Sequence, residues 1–264
     1  MTTAAATLLS SSDSTPYQLT MPRLSPLLLL ALPSAAVTIV VGAVLALVDV
    51  PLWLTAVTAV AAGVLAGLTL RWRAPALALE CLSAEPIDPA DEPGLVNVVE
   101  GLCATFGSPE PKLHRVGSAS PNAAIVGRSS KDAQLVVTDG LLDSLDRLEL
   151  EAVVARLLSQ LRFGIEAATV LVAVAKIVSP LGLRDRVLER ALDRQSMIVI
   201  DLEAVRMTRY PPALASAYET AADIRPIESI PVADHLWLLG TTSGRPRGGA
   251  HPPLAERIDV LREL

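Results

Sequence analysis

The stretch that decides the fold is ELEAVVARLLSQLRF, residues 149–163. Apolar residues recur along it every three or four positions, which is typical of an amphipathic helix with one face in a core. The members of this apolar stripe are Leu150, Val153, Val154, Leu157, Leu158 and Leu161. The stretch therefore predicts a central helix against which the neighbouring elements pack.

Composition narrows the class of protein. The chain has 264 residues, of which 51% are hydrophobic and only 3% aromatic, and its formal net charge is −6. Nucleic-acid binding needs a basic surface, so we expect no nucleic acid among the partners. Cys81 and Cys103 have no metal-ligand spacing between them, and so few cysteines favour free thiols in a reducing compartment over a disulfide framework.

Two uncharged runs precede the central helix. The first begins after Arg23 and extends to Val48, and the second covers residues 52–70 and stops at Arg71-Trp72-Arg73. Each run is long enough to cross a bilayer as a helix. Residues 23–73 are therefore predicted to form a transmembrane helical hairpin.

The flanks of the hairpin predict its orientation. Arg23, Arg71 and Arg73 mark one side of the membrane, whereas the turn between the runs carries only Asp49. By the positive-inside rule, both chain ends and the large C-terminal region are expected in the cytoplasm. A glycine pair four residues apart, at positions 63 and 67, allows close helix packing. Two small residues in a span rich in small residues are a simpler interpretation than a dedicated dimer motif.

The remaining segments predict the domain organisation. Residues 1–22 lack Lys and Arg and are expected to be a flexible tail, and the proline-rich residues 74–93 are expected to be a linker. Residues 94–264 are predicted to form one cytoplasmic domain. Its short β-like runs, at residues 112–116, 122–126 and 133–138, predict a small antiparallel sheet in a mostly helical α+β fold. The apolar run at residues 167–175 is too short for a third span and predicts a buried or membrane-surface helix.

Six motifs resemble those of the HtpX-like and CAAX-prenyl-protease type membrane zinc metallopeptidases. They are NVVEGLCATFG (97–107), PNAAIVGR (121–128), VVTDGLLDSL (136–145), RMTRYPPALASAYE (206–219), HLWL (235–238) and AHPPLAERIDVLREL (250–264). The resemblance implies a zincin-like metallopeptidase domain with a small sheet, on a two-helix membrane anchor.

The zinc-binding positions of that family are not kept. In the family, E-L-x-A-V-x-A-H-E-L-x-H on the central helix supplies two histidine ligands and a glutamate base. The resemblance places Arg156 and Gln160 at the histidines and Leu157 at the base. A third ligand, from an E-x-x-x-D pattern, falls on Met197, while its aspartate is kept as Asp201. Guanidinium has no lone pair to offer and thioether is a poor zinc ligand. The resemblance therefore implies no catalytic residues, no metal site and no cofactor here, whereas active relatives are expected to hold zinc.

A replacement for the lost metal is predicted from the same alignment. The family's aspartate orients the first histidine through its outer ring nitrogen. Here that histidine has become Arg156, whose planar donor fork matches a carboxylate. We therefore predict an Arg156–Asp201 salt bridge, with Leu157 and Met197 beside it as apolar core. The alternative is that Arg156 points to solvent and Asp201 is a cap or is solvated.

A displaced metal site is not indicated. His114, His235 and His251 are not spaced four residues from one another and have no carboxylate pair with zinc spacing, so each is expected to be an isolated histidine. Ser159 has no His/Asp arrangement that would make it a nucleophile.

These features predict a catalytically inactive, membrane-anchored metallopeptidase homologue that acts as a binding, scaffold or regulatory module. The expected partners are the membrane and one of three others: a membrane protein complex, an active relative, or an extended peptide held by strand addition. The alternative is an active membrane metalloendopeptidase with non-standard ligands or with ligands supplied by another chain.

Overall fold

The computed structural model describes residues 25–191, 195–222, 224, 227, 232–239 and 252–264. The predicted tail at residues 1–22, the flanking Arg23 and His251 lie outside these ranges. Most of the described chain is helical, with a small mixed sheet, which confirms the predicted fold class.

The elements, in chain order, are as follows. The helices are α1 (Pro26–Ala46), α2 (Leu52–Leu82), α3 (Pro93–Phe106), α4 (Asp139–Ser144), α5 (Arg147–Phe163), α6 (Glu166–Val178), α7 (Arg184–Ala191), α8 (Gln195–Thr208), α9 (Pro211–Ala222) and α10 (Leu254–Arg262). The strands are β1 (Glu85–Pro86), β2 (Lys112–Val116), β3 (Ala123–Val126) and β4 (Gln134–Thr138).

Helices α1 and α2 occupy the two predicted spans and pack along each other as a hairpin. Both are long and apolar enough to cross a membrane. Their most apolar windows are only 11% and 22% buried, so these helices present apolar side chains outward, as helices in lipid do. Ser25 caps α1 by accepting a hydrogen bond from the Leu28 amide, and Pro26 occupies its first turn.

The glycine pair on α2 is used inside this hairpin. A Cβ added at Gly63 would lie 2.7 Å from the carbonyl oxygen of Ser34 and closer still to the hydroxyl of Thr38. A Cβ added at Gly67 would overlap the Ser34 hydroxyl. Both glycines therefore face α1 and allow its backbone to approach, so this face of α2 is closed to a second chain.

The structure differs from the predicted linker. Helix α2 does not end at Arg73 but continues to Leu82, so residues 74–82 are helical. Ala74 and Ala78 are fully buried, and Cys81 and Leu82 nearly so. Proline inside a helix usually signals a break, but here Pro75 lies within α2 and the helix persists. The burial of its apolar face explains this persistence, because tertiary packing overrides local propensity.

The sheet has the order β1-β2-β4-β3. Strand β2 pairs with β4 in parallel, whereas β1–β2 and β3–β4 are antiparallel. The predicted antiparallel sheet is therefore wrong, and the sheet is mixed. The physical reason is the order of the strands. Residues 117–122 connect β2 to β3 and leave a gap one strand wide between them. Strand β4 fills that gap, and because it is antiparallel to β3 it runs in the same direction as β2.

Two cores lie on the two faces of this sheet. The first contains apolar residues of α3, α5 and α9 together with Leu135 and Val137 of β4. The second contains the end of α2, Val172 and Ala175 of α6, and Val136 of β4. Helix α6 also packs against Leu29 and Leu30 of α1, so it is buried between the hairpin and the sheet. The hairpin is thus joined to α6 in a third cluster, which contains Leu29, Leu30 and Ala74, and only the last turns of α2 enter the second core.

The glycine contact predicts the effect of a bulky side chain. Replacing Gly63 by leucine should separate α1 from α2 and lower the thermal unfolding temperature of the detergent-solubilised protein, because overpacking costs about 1–3 kcal/mol. The matched control is Ala61→Leu, which adds the same bulk to an exposed position of the same helix. Equal unfolding temperatures for the two variants would contradict this close packing.

Candidate site at the central helix

Helix α5 corresponds to the stretch that resembles the zinc helix. It begins with a capping box, in which Asp146 accepts from the Glu149 amide at 2.8 Å and Glu149 accepts from the Asp146 amide at 3.0 Å. Its buried face packs against α8, and the Ser159 hydroxyl bridges the two helices by donating to the carbonyl oxygens of Arg156 and Ile200. Ser159 thus acts as a buried structural hydroxyl.

The structure brings Arg156 and Asp201 together. The Nε of Arg156, on α5, lies 3.0 Å from Oδ1 of Asp201, on α8. The two residues are 1% and 2% exposed, so the contact is removed from water. An ion pair in such surroundings is held only where its geometry is good and its remaining hydrogen-bonding groups are satisfied.

A second arginine completes the contact. Arg257 of α10 meets Asp201 bidentately, with Nε 2.7 Å from Oδ2 and Nη2 2.9 Å from Oδ1. Its Nη1 donates to the Leu238 carbonyl oxygen at 2.8 Å. The Tyr218 hydroxyl of α9 donates to Asp201 Oδ1 at 2.9 Å and accepts from Arg257, whose guanidinium also lies over the tyrosine ring. These four residues, Arg156, Asp201, Tyr218 and Arg257, form the arginine–aspartate cluster.

The electrostatics of the cluster favour an ionised Asp201. Burial by itself disfavours the carboxylate, but the charges and hydrogen bonds of Arg257 and Arg156 outweigh it and hold the pKa of Asp201 below its usual value. Burial raises the pKa of Tyr218, so its hydroxyl keeps its proton and serves as a donor. For Arg257, burial opposes the charge, but Asp201 more than compensates and raises its pKa.

The surroundings of Asp201 disfavour a zinc ion. Its Oδ1 accepts hydrogen bonds from Arg156, Arg257 and Tyr218, and its Oδ2 accepts one from Arg257, so two guanidinium groups stand where a histidine and its metal would be expected. Two other positions of the aligned site offer no zinc ligand, because Leu157 and Met197 are buried apolar side chains, 0% and 5% exposed. Gln160 is half-buried, and its Oε1 has no hydrogen-bond partner in the described part of the chain. The residues present do not fit zinc.

The two histidines that the structure describes, His114 and His235, do not form a substitute site. His235 is buried, and its Nε2 lies 2.9 Å from the carbonyl oxygen of Ala168, an acceptor to which it must donate. His114 is also buried, on β2. Burial lowers the pKa of both residues, so both are neutral at pH 7. In the described ranges, no three His, Cys, Asp or Glu side chains come together as metal ligands would.

The outer edge of β3 is occupied by a later segment of the same chain. Trp237 pairs with Ala124 as an antiparallel bridge, and the Leu238 amide donates to the Ala123 carbonyl oxygen at 2.7 Å. The Asn122 side chain fixes the end of this segment, because its Oδ1 accepts from the Leu239 amide and its Nδ2 donates to the Leu239 carbonyl oxygen. The backbone groups at the start of this edge are therefore already paired.

Comparisons with known proteins agree with this architecture. The sequence model described as peptidase family M48 matches residues 89–156. A protease HtpX homolog of Dictyoglomus thermophilum is 32% identical over 210 residues, which cover 65% of this chain and 69% of that protein. A protease HtpX homolog of Tropheryma whipplei is 31% identical over 231 residues, 71% of this chain and 78% of that protein. The chain belongs to the HtpX-like family. No solved structure matches the chain.

Membership in the HtpX-like family confirms the resemblance seen in the sequence motifs. Together with two apolar helices that expose their side chains, it makes this a membrane protein of a metallopeptidase family. In the helix that resembles the family's zinc helix, this chain carries Arg156, Leu157 and Gln160, and Arg156 forms an ion pair with Asp201.

Sequence reasoning missed Arg257 and Tyr218, although both left a signal. Leu254, Ile258 and Leu261 define the apolar stripe of α10, and Arg257 lies on that stripe rather than on the polar face. A charged residue on an apolar stripe is expected to be buried and therefore paired. What the sequence did not contain was the fact that α10 packs beside α8 and α9.

The cluster predicts a large loss of stability when its carboxylate is removed. Asp201→Ala would leave two buried guanidinium groups without their counter-charge, so we expect the free energy of unfolding to fall by about 3–5 kcal/mol. Glu203→Ala is the matched control on the same helix, because Glu203 pairs with Arg162, whose side chain is 64% exposed. Its removal should cost at most about 1 kcal/mol. Similar losses of unfolding free energy in both variants would mean that the buried cluster stabilises the fold no more than an exposed ion pair does.

The lowered pKa of Asp201 predicts a dependence of stability on pH. The stabilisation from its charge is complete above the unfolded-state value of 3.8 and is lost as the pH falls through the lower folded-state pKa. The unfolding temperature of the wild type should therefore fall more steeply below pH 4 than that of Asp201→Asn. Changes between pH 7 and 5 belong to buried His114 and His235 and should be the same in both proteins. If the unfolding temperatures of the two proteins fell equally steeply below pH 4, Asp201 would not be the source of the acid dependence.

Proposed function

We propose that the protein is a catalytically inactive, membrane-anchored member of the HtpX-like family that acts as a binding, scaffold or regulatory module. The observation that carries the proposal is the arginine–aspartate cluster, in which Arg156 stands at the position of the first zinc-binding histidine and is paired with Asp201. Leu157 stands at the position of the general base and has no group that could activate a water molecule.

We also infer that the domain lies on the cytoplasmic side. Arg71 and Arg73 flank the end of the second span from which the domain continues, and the turn between the spans carries only Asp49. This distribution favours the positive-inside orientation. The continuity of α2 into the second core supports a domain held at the membrane surface rather than one on a flexible tether.

The sheet edges favour a folded protein partner over an extended peptide. Strand addition needs a row of unpaired backbone groups. At the β3 edge, Ala123 and Ala124 are already engaged by Leu238 and Trp237. At the other edge, β1 is only Glu85–Pro86, and proline has no amide hydrogen to donate. A membrane protein complex or an active relative is therefore the partner that we propose.

The inactivity is tested with the purified full-length protein in detergent. We expect zinc well below one per chain and no chelator-sensitive cleavage of an unfolded substrate such as casein, with or without added zinc. The HtpX homolog of Dictyoglomus thermophilum, purified in the same way, serves as the positive control. Zinc near one per chain, or cleavage that a chelator abolishes, would overturn the proposal in favour of a metalloendopeptidase with other ligands.

The scaffold role is tested separately, by affinity purification from native membranes. A partner held by the cytoplasmic domain should be retained at a stoichiometric level by the wild type and by Glu203→Ala. It should be lost with Asp201→Ala if that variant unfolds the domain. A chain that purifies alone would count against the scaffold role, while leaving the inactivity result unaffected.

A further inference from the structure

Helix α2 carries three large polar or amphipathic side chains where its apolar span ends. Arg71, Trp72 and Arg73 follow directly on the uncharged residues 52–70. Because α2 continues without a break to Leu82, these side chains project from a rigid helix. Trp72 is 65% exposed, and exposed tryptophan at the end of a span is typical of the membrane–water interface.

The domain is fastened to the helix at this level. The guanidinium of Arg128 lies 3.8 Å from the centre of the Trp72 ring, and Arg71 is paired with Glu166 at the start of α6. Arg128 is held in turn by Asp132, whose Oδ2 lies 2.7 Å from its Nε. The loop between β3 and β4 is therefore fixed against the end of the apolar span of α2.

The second attachment of this loop is made through its backbone. The amide of Gly127 donates to the Thr169 hydroxyl of α6 at 3.0 Å. A Cβ at Gly127 would lie 2.9 Å from Ile165, and its φ of 154° is rarely adopted by other residues, so only glycine fits here. We call the group at this level the juxtamembrane cluster; its members are Arg71, Trp72, Arg73, Arg128, Lys131, Asp132 and Glu166.

The charges of the juxtamembrane cluster do not balance. Both of its carboxylates are used, Glu166 by Arg71 and Asp132 by Arg128. Arg73 and Lys131 are exposed and have no ion-pair partner in the part of the chain that the structure describes. The cluster therefore has a surplus of two positive charges at the level of lipid headgroups, within a chain whose formal net charge is −6.

We propose that the juxtamembrane cluster is a binding site for the headgroups of anionic phospholipids, with Arg73 and Lys131 as the residues that contact the phosphates. A basic side chain near an anionic leaflet strengthens attachment on the order of fivefold. A bilayer is the partner that fits, because the cluster directly adjoins the lipid-facing span and includes an interfacial tryptophan. Arg71 and Arg128, which are paired with carboxylates, position the loop, and the unpaired Arg73 and Lys131 bind the phosphate groups.

The test uses the full-length protein in detergent and measures lipid binding by native mass spectrometry, with phosphatidylglycerol and phosphatidylcholine of the same chain length. We expect the wild type to retain phosphatidylglycerol about tenfold or more over phosphatidylcholine, and added salt to reduce this preference. Arg73→Gln/Lys131→Gln should lose most of it. All proteins are first checked for the same thermal unfolding temperature.

The control is Arg147→Gln, which removes one exposed positive charge that has no ion-pair partner in the described part of the chain; it is compared with the single variants Arg73→Gln and Lys131→Gln. Arg147 opens the 17-residue helix α5, whose last residue leads into α6 beside the cluster, so it lies roughly 24 Å away along the helix axis. The control should bind phosphatidylglycerol as the wild type does. The proposal is overturned if the Arg73/Lys131 variant binds like the wild type, if Arg147→Gln loses as much binding as Arg73→Gln or Lys131→Gln, or if the wild type does not distinguish the two lipids.

Discussion

A carboxylate that has been removed from water is the constraint on which this domain depends. Asp201 is 2% exposed and yet ionised, because two guanidinium groups and a tyrosine hydroxyl donate four hydrogen bonds to it. Those donors come from α5, α9 and α10, while the carboxylate comes from α8. One side chain therefore joins four helices, which span residues 147 to 262 of the sequence. A charge buried in this way contributes stability only while every partner stays in place, so these helices are expected to loosen together.

On the proposal that the zinc ligands are lost, the cluster accounts for the packing of the helix that resembles the family's zinc helix. In an active relative, a metal is expected to hold the zinc helix against the helix that carries the E-x-x-x-D pattern. Here Arg156 makes that connection by pairing with Asp201, and the neighbouring Leu157 belongs to the first core. Restoring one ligand would therefore not restore a site: a histidine at position 156 would face a carboxylate already bound bidentately by Arg257. In this structure, the contact between α5 and α8 is made by an ion pair and apolar packing.

Local patterns predicted the elements well, and the pairing of Arg156 with Asp201 followed from charge and alignment together. Long-range arrangement was what the sequence could not provide. Three β-like runs do not reveal which strand is central, so the parallel pairing of β2 with β4 was missed. Pro75 suggested a linker. The structure keeps α2 helical past Pro75 because the helix is buried there against residues of the sheet and of α6, which the local sequence does not show. Arg257 was missed for the same reason, since its partners are 39 and 56 residues away.

The continuous α2 links the membrane to the altered site through a single sheet. One face of β4 contributes Val136 to the second core, with Ala78 and Leu82 of α2, while Leu135 and Val137 on its other face contribute to the first core, with Leu157. Helix α2 runs without a break from the described span into the second core, so a domain anchored in lipid through α2 would be held at a set distance from the bilayer. That geometry matters little to a protease that takes in unfolded chains, which adapt to the site. It matters greatly to a scaffold, because a folded membrane partner can dock only where the two interfaces meet at the same distance from the lipid.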